Sequence, residues 1–427
     1  MDLCKQSRRQ ETLYKAWRRI RAKALASDSS GIRTEAKEFE EQAPSRLRSI
    51  SDRLRAGTFR FAKQHGIPKR RSGKRPRPIV LAPLENRIVH RAMLDTLVAH
   101  CPEIREVLDS PRSVGGIEGV DVAIRIVREH MSGNRQWFIR SDIKDFFSNV
   151  PRAQVIDFIG RASGDDRFTE LFADAVTVEL ANADQIKDDL DVFPIGEKGV
   201  AQGSALSPLV GNIALLAFDR QMNGWGVVCI RYIDDFLLIG PGKEAVLKAF
   251  EQGRGILKGM GCDAYHPDDA PEKAGMGLCS EGLSFLGYDL NHSLISPSRK
   301  ARSVLLEKVC AALYDGQEAI SAVLLGDRGR LARQRYAQTL VRVDRIVKGW
   351  GEAFAISNNM DVRRELDRKI SEHLQSFQRF GAAARRAKGE ADARRVLGVQ
   401  LLQDLEQKSA QPIDHRFDPA RSAAVAN

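Results

Sequence analysis

The chain has few of the features that mark secreted, zinc-binding or membrane proteins. Its six cysteines are scattered without a CxxC pair, so neither a disulfide framework nor a zinc module is indicated. The first residues contain no apolar stretch typical of a signal peptide, and no apolar run is long enough to span a membrane. We therefore expect a cytoplasmic protein that makes no membrane contact.

The charge is distributed unevenly along the 427 residues. Residues 1–100 contain 24 Lys and Arg against 10 Asp and Glu, residues 101–300 contain 21 against 30, and residues 301–427 contain 22 against 16. Basic segments on either side of an acidic one suit an enzyme that holds nucleic-acid phosphates around a carboxylate-rich centre. For many of these cations, taken singly, a solvated helix face is an equally good interpretation.

Two adjacent carboxylates, Asp234 and Asp235, lie between apolar runs at residues 227–230 and 236–239. The β-branched residues of these runs predict two strands, so residues 232–235 should form the tip of a β-hairpin. Neighbouring carboxylates repel each other, and a divalent cation such as Mg²⁺, which takes oxygen ligands, is the usual reason to tolerate that repulsion. A solvated turn would explain an isolated pair of acids equally well.

Two further segments precede this pair. Asp142 ends a short apolar run upstream, and residues 201–212 (AQGSALSPLVGN) form a turn rich in Gly, Ser and Pro that opens an apolar helix. In this order the segments resemble the palm motifs of reverse transcriptases, with Asp142 in the first, QGxxxSPxxxN in the second and YxDD in the third. Residues 271–273 (PEK) resemble the palm lysine motif, and residues 285–288 (FLGY) resemble the primer-grip hairpin.

The resemblance implies an α+β right-hand polymerase, in which fingers and a palm of antiparallel sheet and helices precede an α-helical thumb. It implies an RNA-directed DNA polymerase that makes cDNA by nucleotidyl transfer with two Mg²⁺ ions, for which Mn²⁺ is a substitute. Asp142, Asp234 and Asp235 would be catalytic and bind the metals together with the main-chain carbonyl of Ile143, Asp235 least directly. The residues implied to contact the nucleotide are Lys69, Arg77, Phe147, Gln202, Gly203 and Lys273. Those implied to contact primer or template are Tyr232, Leu286, Gly287 and Tyr288.

Specific roles follow for three of these residues. Arg77, with Lys69 or Arg70, would hold the triphosphate, because the planar guanidinium contacts phosphate oxygens in pairs. Phe147 would pack under the deoxyribose and exclude a 2′-hydroxyl; the alternative is that it is a core residue and that Phe146 faces the site. Lys273 would protonate the leaving pyrophosphate or offset its charge, unless it is an ordinary surface lysine.

We predict five segments. They are a basic helical extension (1–55), fingers (56–105), a palm (106–290) with an acidic insertion at 160–200 to which no chemistry is assigned, a helical thumb or maturase-like domain (300–400), and a mobile tail (401–427). Apolar residues at helical spacing support the fourth segment. Its residues 346–354 (IVKGWGEAF) resemble the GWxxxF element of group II intron reverse transcriptases.

The sequence shows neither an HNH-type Cys/His cluster nor a ribonuclease H segment, and the retron-type NAxxH and VTG signatures are absent. What remains resembles the stand-alone bacterial reverse transcriptases grouped as defence-associated. The expected partners are an RNA template, in particular a structured non-coding RNA, the cDNA product and dNTPs, and a homo-oligomer is left open. One alternative is a group II intron-encoded reverse transcriptase and maturase. Another is an RNA-binding effector with vestigial polymerase activity.

Overall fold

The computed structural model describes residues 2–27, 29–71, 74–108, 113–114, 119–131, 136–327, 335–387 and 389–404. Contacts divide the chain into two units, residues 1–295 and 296–427. The first unit combines helices with antiparallel sheets, so the α+β class predicted from the sequence is confirmed. The finer division into extension, fingers and palm stays a prediction. From residue 405 onwards the predicted tail lies outside the described residues.

The helices of the first unit are α1 (Leu3–Ser7), α2 (Gln10–Leu25), α3 (Ser30–Glu41), α4 (Ala43–Ala56), α5 (Leu84–His100), α6 (Pro102–Leu108), α7 (Val120–His130), α8 (Phe146–Asn149), α9 (Arg152–Ser163), α10 (Asp166–Val176), α11 (Ser207–Ala214), α12 (Leu216–Met222) and α13 (Lys243–Gly259). Its strands are β1 (His65–Arg71), β2 (Lys74–Leu81), β3 (Ser113–Val114), β4 (Trp137–Asp142), β5 (Val228–Tyr232), β6 (Asp235–Gly240), β7 (Gly275–Leu278), β8 (Leu283–Phe285) and β9 (Tyr288–Leu290). A further strand, β10 (Ile295–Pro297), lies at the unit boundary, and 3-10 helices cover Ala183–Val192, Cys279–Glu281 and Leu402–Asp404.

The central sheet has the strand order β3-β5-β6-β4-β7. Strands β4, β5, β6 and β7 pair antiparallel, and only β3 pairs parallel, with β5. One face is sealed by aromatic contacts, because the ring of Phe236 lies 5.6 Å from that of Phe218 on α12 and 6.2 Å from that of Phe250 on α13. Strand β6, which begins at Asp235, is therefore anchored in the core.

The basic N-terminal segment folds into four helices that pack against α5. Trp17 is buried with its ring 4.8 Å from that of Phe39, and it shares one core with Leu13, Ile88 and Ala92. Helix α2 therefore buries an apolar face around Trp17, and its arginines remain on the exposed side.

Strands β1 and β2 form the predicted basic hairpin, whose turn residues 72–73 lie outside the described part of the chain. The acidic 3-10 segment Ala183–Val192 packs against this hairpin. Asp189 pairs with Arg70 at 2.9 Å, and Asp191 pairs with Arg75. The acidic insertion thus neutralises part of the basic hairpin.

The second unit is helical, as the periodicity predicted. It contains α14 (Arg299–Leu324), α15 (Tyr336–Ala353), α16 (Met360–Arg386) and α17 (Glu390–Leu397). The ring of Tyr336 stacks on Phe377 at 5.1 Å, and a side chain at Gly381 would collide with Tyr336, since a Cβ there would lie 2.8 Å from the ring. No helix in the described ranges is both long enough and apolar enough to cross a membrane.

Candidate active site

The three predicted carboxylates meet at one end of the central sheet. Asp142 is the last residue of β4, and its register partner across the ladder is Asp235, the first residue of β6. Asp234 lies in the turn between β5 and β6, and its carbonyl accepts a hydrogen bond of 3.0 Å from the amide of Ile143. Strand pairing therefore brings together acids that are far apart in the sequence.

The turn that carries Asp234 is strained. It is a two-residue loop between Tyr232 and Asp235, as predicted, and Ile233 adopts φ +60°. A β-branched residue rarely adopts a positive φ, and such strain persists only where neighbouring groups hold it. One such group is Arg231, whose guanidinium Nη1 donates to the carbonyl of Ile233 at 2.7 Å.

The carboxylates line a cleft of about 510 Å³. The predicted residues that line it are Arg77, Asp142, Ile143, Phe147, Gln202, Asp234, Asp235 and Lys273, and Phe146, the alternative to Phe147, lines it as well. Other predicted residues are not part of this lining, namely Lys69, Gly203, Tyr232, Leu286, Gly287 and Tyr288. Arg75, Asp191 and Tyr265 line the cleft without having been singled out from the sequence.

Arg77 joins the basic hairpin to the QGxxxSPxxxN segment. Its Nε donates to Oε1 of Gln202 at 2.6 Å, and the amide of Val80 donates to the carbonyl of Gln202 at 3.4 Å. The next residue, Gly203, has φ +111°, a conformation that glycine adopts without strain. Lys69 faces Arg77 in the strand register but is exposed on the neighbouring strand.

The two adjacent phenylalanines of α8 have different environments. Phe146 is 1% exposed, and a Cβ at Gly211 would lie 3.0 Å from its ring. Phe147 is only partly buried, with its ring centroid 5.6 Å from that of Phe146. The geometry favours Phe147 as the ring available to a substrate, and its contact with the sugar stays a prediction.

Lys273 is part of the site and not an ordinary surface lysine. Its Nζ donates to Oδ2 of Asp142 at 2.5 Å and lies 5.3 Å from the ring of Tyr265. Burial by itself would lower the pKa of Lys273. The hydrogen bond to Asp142 and the negative charge of Asp142 together have the larger effect, so the pKa of Lys273 lies above its ordinary value. The ammonium group therefore stays charged beside the carboxylates.

The acids of the hairpin are electrostatically destabilised. Burial, together with the negative charge of Asp142, raises the pKa of Asp234 to about 6 and that of Asp235 to about 7. A divalent cation would relieve this repulsion, and carboxylate oxygens are the ligands that Mg²⁺ prefers. In the described residues no three His, Cys, Asp or Glu side chains close around one ion position, and Mg²⁺ commonly takes only one or two carboxylates plus substrate phosphates. The donor set fits such ions.

The predicted primer-grip hairpin is present as β8 and β9. Leu286 and Gly287 form its two-residue loop with φ +49° and +84°, the positive values that a type I′ turn requires. Tyr288 differs from the expectation, because its side chain is 1% exposed and packs in the core. The loop residues remain available for contact, and Tyr232 is partly buried beside the carboxylate turn.

Sequence reasoning missed the residues that hold the site together. Arg231 and Asp219 are both buried and form an ion pair of 2.5 Å, and Asn212 accepts from Arg231 at 3.1 Å. The signal was available, since a charged residue stands inside an apolar strand immediately before the YxDD motif.

Comparisons with known proteins agree with the site. The family model described as reverse transcriptase (RNA-dependent DNA polymerase) matches residues 67–290. Protein YkfC of Escherichia coli (strain K12) is 27% identical over 286 residues, which are 57% of this chain and 71% of that protein. The Retron Mx65 reverse transcriptase of Myxococcus xanthus is 27% identical over 185 residues, 42% of this chain and 40% of that protein.

Among solved structures, the "Partial Cas6-RT-Cas1--Cas2 complex" is similar with a TM-score of 0.36 and 23% identity, covering 60% of this chain and less than half, 43%, of that one. The family model spans more than half of the 427 residues and includes the three carboxylates and every other residue of the cleft. The chain belongs to the reverse transcriptase family of RNA-dependent DNA polymerases.

Proposed function

We propose that this protein makes cDNA from an RNA template, using Asp142, Asp234 and Asp235 to hold two Mg²⁺ ions, with Mn²⁺ as a substitute. The observation that carries the proposal is the convergence of these carboxylates with Arg77 and Lys273 in one cleft. The carboxylates then face the metal ions, and the cations of Arg77 and Lys273 face the phosphate oxygens of the triphosphate. Divalent ions in such a site activate the attacking hydroxyl and neutralise the leaving group.

The residues of the cleft have separate tasks in this proposal. Arg77, oriented by Gln202, binds triphosphate oxygens, and Phe147 packs against the sugar. Lys273, whose ammonium group pairs with Asp142, stays protonated and offsets the negative charge of the departing pyrophosphate. The main-chain carbonyl of Ile143, next to Asp142 in the cleft lining, would help to hold one of the ions.

A second groove is suited to the template. It has a volume of about 910 Å³ and is lined by cations of α2 and α5 together with two residues of the QGxxxSPxxxN segment. These residues include Lys15, Arg18, Arg19, Arg91, Ala205 and Pro208, and Asp95, which pairs with Arg19 at 2.6 Å and with Arg91 at 3.0 Å, lines the groove as well. Cations along a groove attract a phosphate backbone, and Ala205 follows closely on the Gln202 that lines the cleft. A template strand lying in this groove would lead directly to the nucleotide.

The biological setting we propose is antiphage defence in the cytoplasm with an associated structured non-coding RNA. The similarity to a retron reverse transcriptase supports this proposal. A group II intron protein is the second candidate, favoured by the GWxxxF element on α15. Sequencing the nucleic acid that co-purifies with the protein distinguishes the two, since an intron RNA would favour the second.

The test of the chemistry is the double variant Asp234→Asn and Asp235→Asn. Two amides cannot replace two anionic ligands, so dNTP incorporation on an RNA template should be abolished while RNA binding persists. Primer extension and filter binding are the measurements. Undiminished incorporation would remove these two residues from the active site.

The pH dependence of stability controls for misfolding in that variant. Both pKa values are raised in the folded protein, to about 6 for Asp234 and about 7 for Asp235, from the ordinary aspartate value of 3.8. Between pH values of about 4 and about 7 the native state therefore binds more protons than the unfolded state. The metal-free parent loses stability as the pH rises through this range. The variant has no such loss, so its Tm at pH 8 should equal or exceed that of the metal-free parent.

A further inference from the structure

Arg231 is a fully buried guanidinium that donates hydrogen bonds to two helices and to the turn that carries Asp234. Its Nε and Nη2 donate to the two carboxylate oxygens of Asp219 at 2.7 and 2.5 Å. Its Nη1 donates to Oδ1 of Asn212 at 3.1 Å and to the carbonyl of Ile233 at 2.7 Å. Four hydrogen bonds thus fix the direction of the guanidinium plane, and one of them ends on the turn.

The three partners come from different elements. Asn212 is on α11 and Asp219 is on α12, the two helices that follow Gln202 in the chain. Ile233 is in the turn next to Asp234. The carbonyl that Arg231 holds belongs to the residue with the strained φ of +60°. The guanidinium therefore connects helices α11 and α12 to the turn whose conformation places Asp234 in the cleft.

Stability alone does not explain this arrangement. A buried ion pair costs desolvation energy, and replacing both partners by apolar residues of similar volume is often neutral or stabilising. The fold could be maintained at this position without charge. What an apolar pair could not supply is a fixed donor for the carbonyl of Ile233.

We propose that Arg231 is a positioning residue that sets the metal affinity of the site by holding the Ile233 turn, and that Asp219 and Asn212 orient it. The inference rests on the proposed metal-binding role of Asp234. Arg231 touches neither substrate nor metal and acts only through the turn. The planar guanidinium of Arg231 is required for this role. A lysine ammonium would keep the charge, but it cannot donate to both Asp219 and the carbonyl of Ile233 in one fixed geometry.

The test compares Mn²⁺ binding by the full chain free of nucleic acid, using electron paramagnetic resonance of free Mn²⁺ as the readout. The first variant combines Arg231→Met with Asp219→Leu, which removes both charges together. We expect the variant to fold with a Tm only modestly below that of the parent, because removing the buried charges offsets part of the cost of the lost donor to Ile233, and we expect a Kd for Mn²⁺ at least about 10-fold higher. Arg231→Lys should also weaken Mn²⁺ binding about 10-fold, although it keeps a cation beside Asp219.

A matched control is Arg152→Lys. Arg152 is another buried arginine that donates to main-chain carbonyls, those of Glu197 at 3.1 Å and Val176 at 3.4 Å among them, but it does not line the cleft. This substitution should lower the Tm and leave the Kd for Mn²⁺ unchanged. Equal weakening of Mn²⁺ binding by Arg152→Lys and Arg231→Lys would reduce Arg231 to a general packing role and overturn the proposal.

A rescue experiment covers the case in which the double variant fails to fold. Glycine adopts a positive φ without strain, so Ile233→Gly should restore part of the Mn²⁺ affinity in the Arg231→Lys background. No restoration, or an unchanged Kd in a folded Arg231 variant, would contradict the proposal. Because the readout is ion binding, a parent that binds Mn²⁺ but incorporates no dNTP would refute the proposed function and leave this inference standing.

Discussion

At the scale of single residues, we propose that Phe147 is the side chain that distinguishes deoxyribose from ribose. If its ring packs under C2′ of the nucleotide, a 2′-hydroxyl must collide with it. Phe147→Ala should therefore lower dNTP use modestly and raise rNTP use. Specificity is a difference of transition-state binding energies, and we expect the ratio of kcat/KM values for dNTP and rNTP to fall about 10²-fold.

The neighbouring ring provides the control. Phe146 also borders the cleft, but its ring is buried against Gly211, so Phe146→Ala should leave a cavity, lower the free energy of unfolding by about 3–5 kcal/mol and change sugar discrimination less than Phe147→Ala does. If Phe147→Ala instead loses dNTP and rNTP use in proportion, its ring is part of the core.

The sequence identified residues whose chemistry is local and missed those whose role depends on partners. Asp142 and Asp234 could be predicted because an acid at the end of an apolar run is visible in the sequence alone. The hydrogen bonds of Arg231 join residues on three elements, and no local pattern specifies such a set. The side chain of Tyr288 was expected at the primer, but the alternation of β9 directs it into the core, as it does Leu290.

At the scale of elements, the β1–β2 hairpin separates its cations between two surfaces. Arg77 lines the cleft and contacts Gln202, whereas Arg70 is paired with Asp189 and is not part of the cleft lining. Arg77→Ala should raise the KM for dNTP about 10-fold or more and change template affinity less. Arg70→Ala, the matched control, should leave the KM for dNTP unchanged. Steady-state kinetics at several dNTP concentrations measures both.

The salt dependence of template binding decides between the two roles that Arg77 could have. An ordinary backbone contact would contribute about 0.7 to the slope of log K against log salt on a single strand. If Arg77→Ala reduces that slope and leaves the KM for dNTP unchanged, Arg77 is a template contact and not a triphosphate ligand.

The acidic insertion shows why some elements resist prediction. Its sequence suggests only a solvated segment, yet Asp189 and Asp191 pair with arginines more than a hundred residues earlier in the chain. Exposed ion pairs of this kind contribute little to stability. Because their partners are distant in the chain, the composition of the insertion does not indicate them. By contrast, the hairpin tips at 232–235 and 285–288 were predictable because two-residue turns between apolar runs are local features.

At the scale of the whole molecule, most of the net positive charge belongs to the second unit. Residues 296–427 contain 24 Lys and Arg against 16 Asp and Glu, so this unit carries +8 of the net +11. Its helices pack around their own core, which includes Val309, Leu366 and Phe377. The unit contains none of the cleft residues, and its charge and helical surface suit it to binding RNA.

Deleting residues 296–427 should therefore remove selective retention of the co-purifying RNA, because the first unit keeps a net charge of only +3. The full-length variant Arg379→Gln with Arg385→Gln, which changes two exposed residues of α16, should weaken the same retention while preserving the Tm. RNA sequencing after affinity purification, normalised to a non-specific RNA, is the measurement. If the truncated protein retains the same RNA as selectively as the full chain, recognition lies in the basic helices α1–α4, and substitution of Arg18 on α2 becomes the decisive experiment.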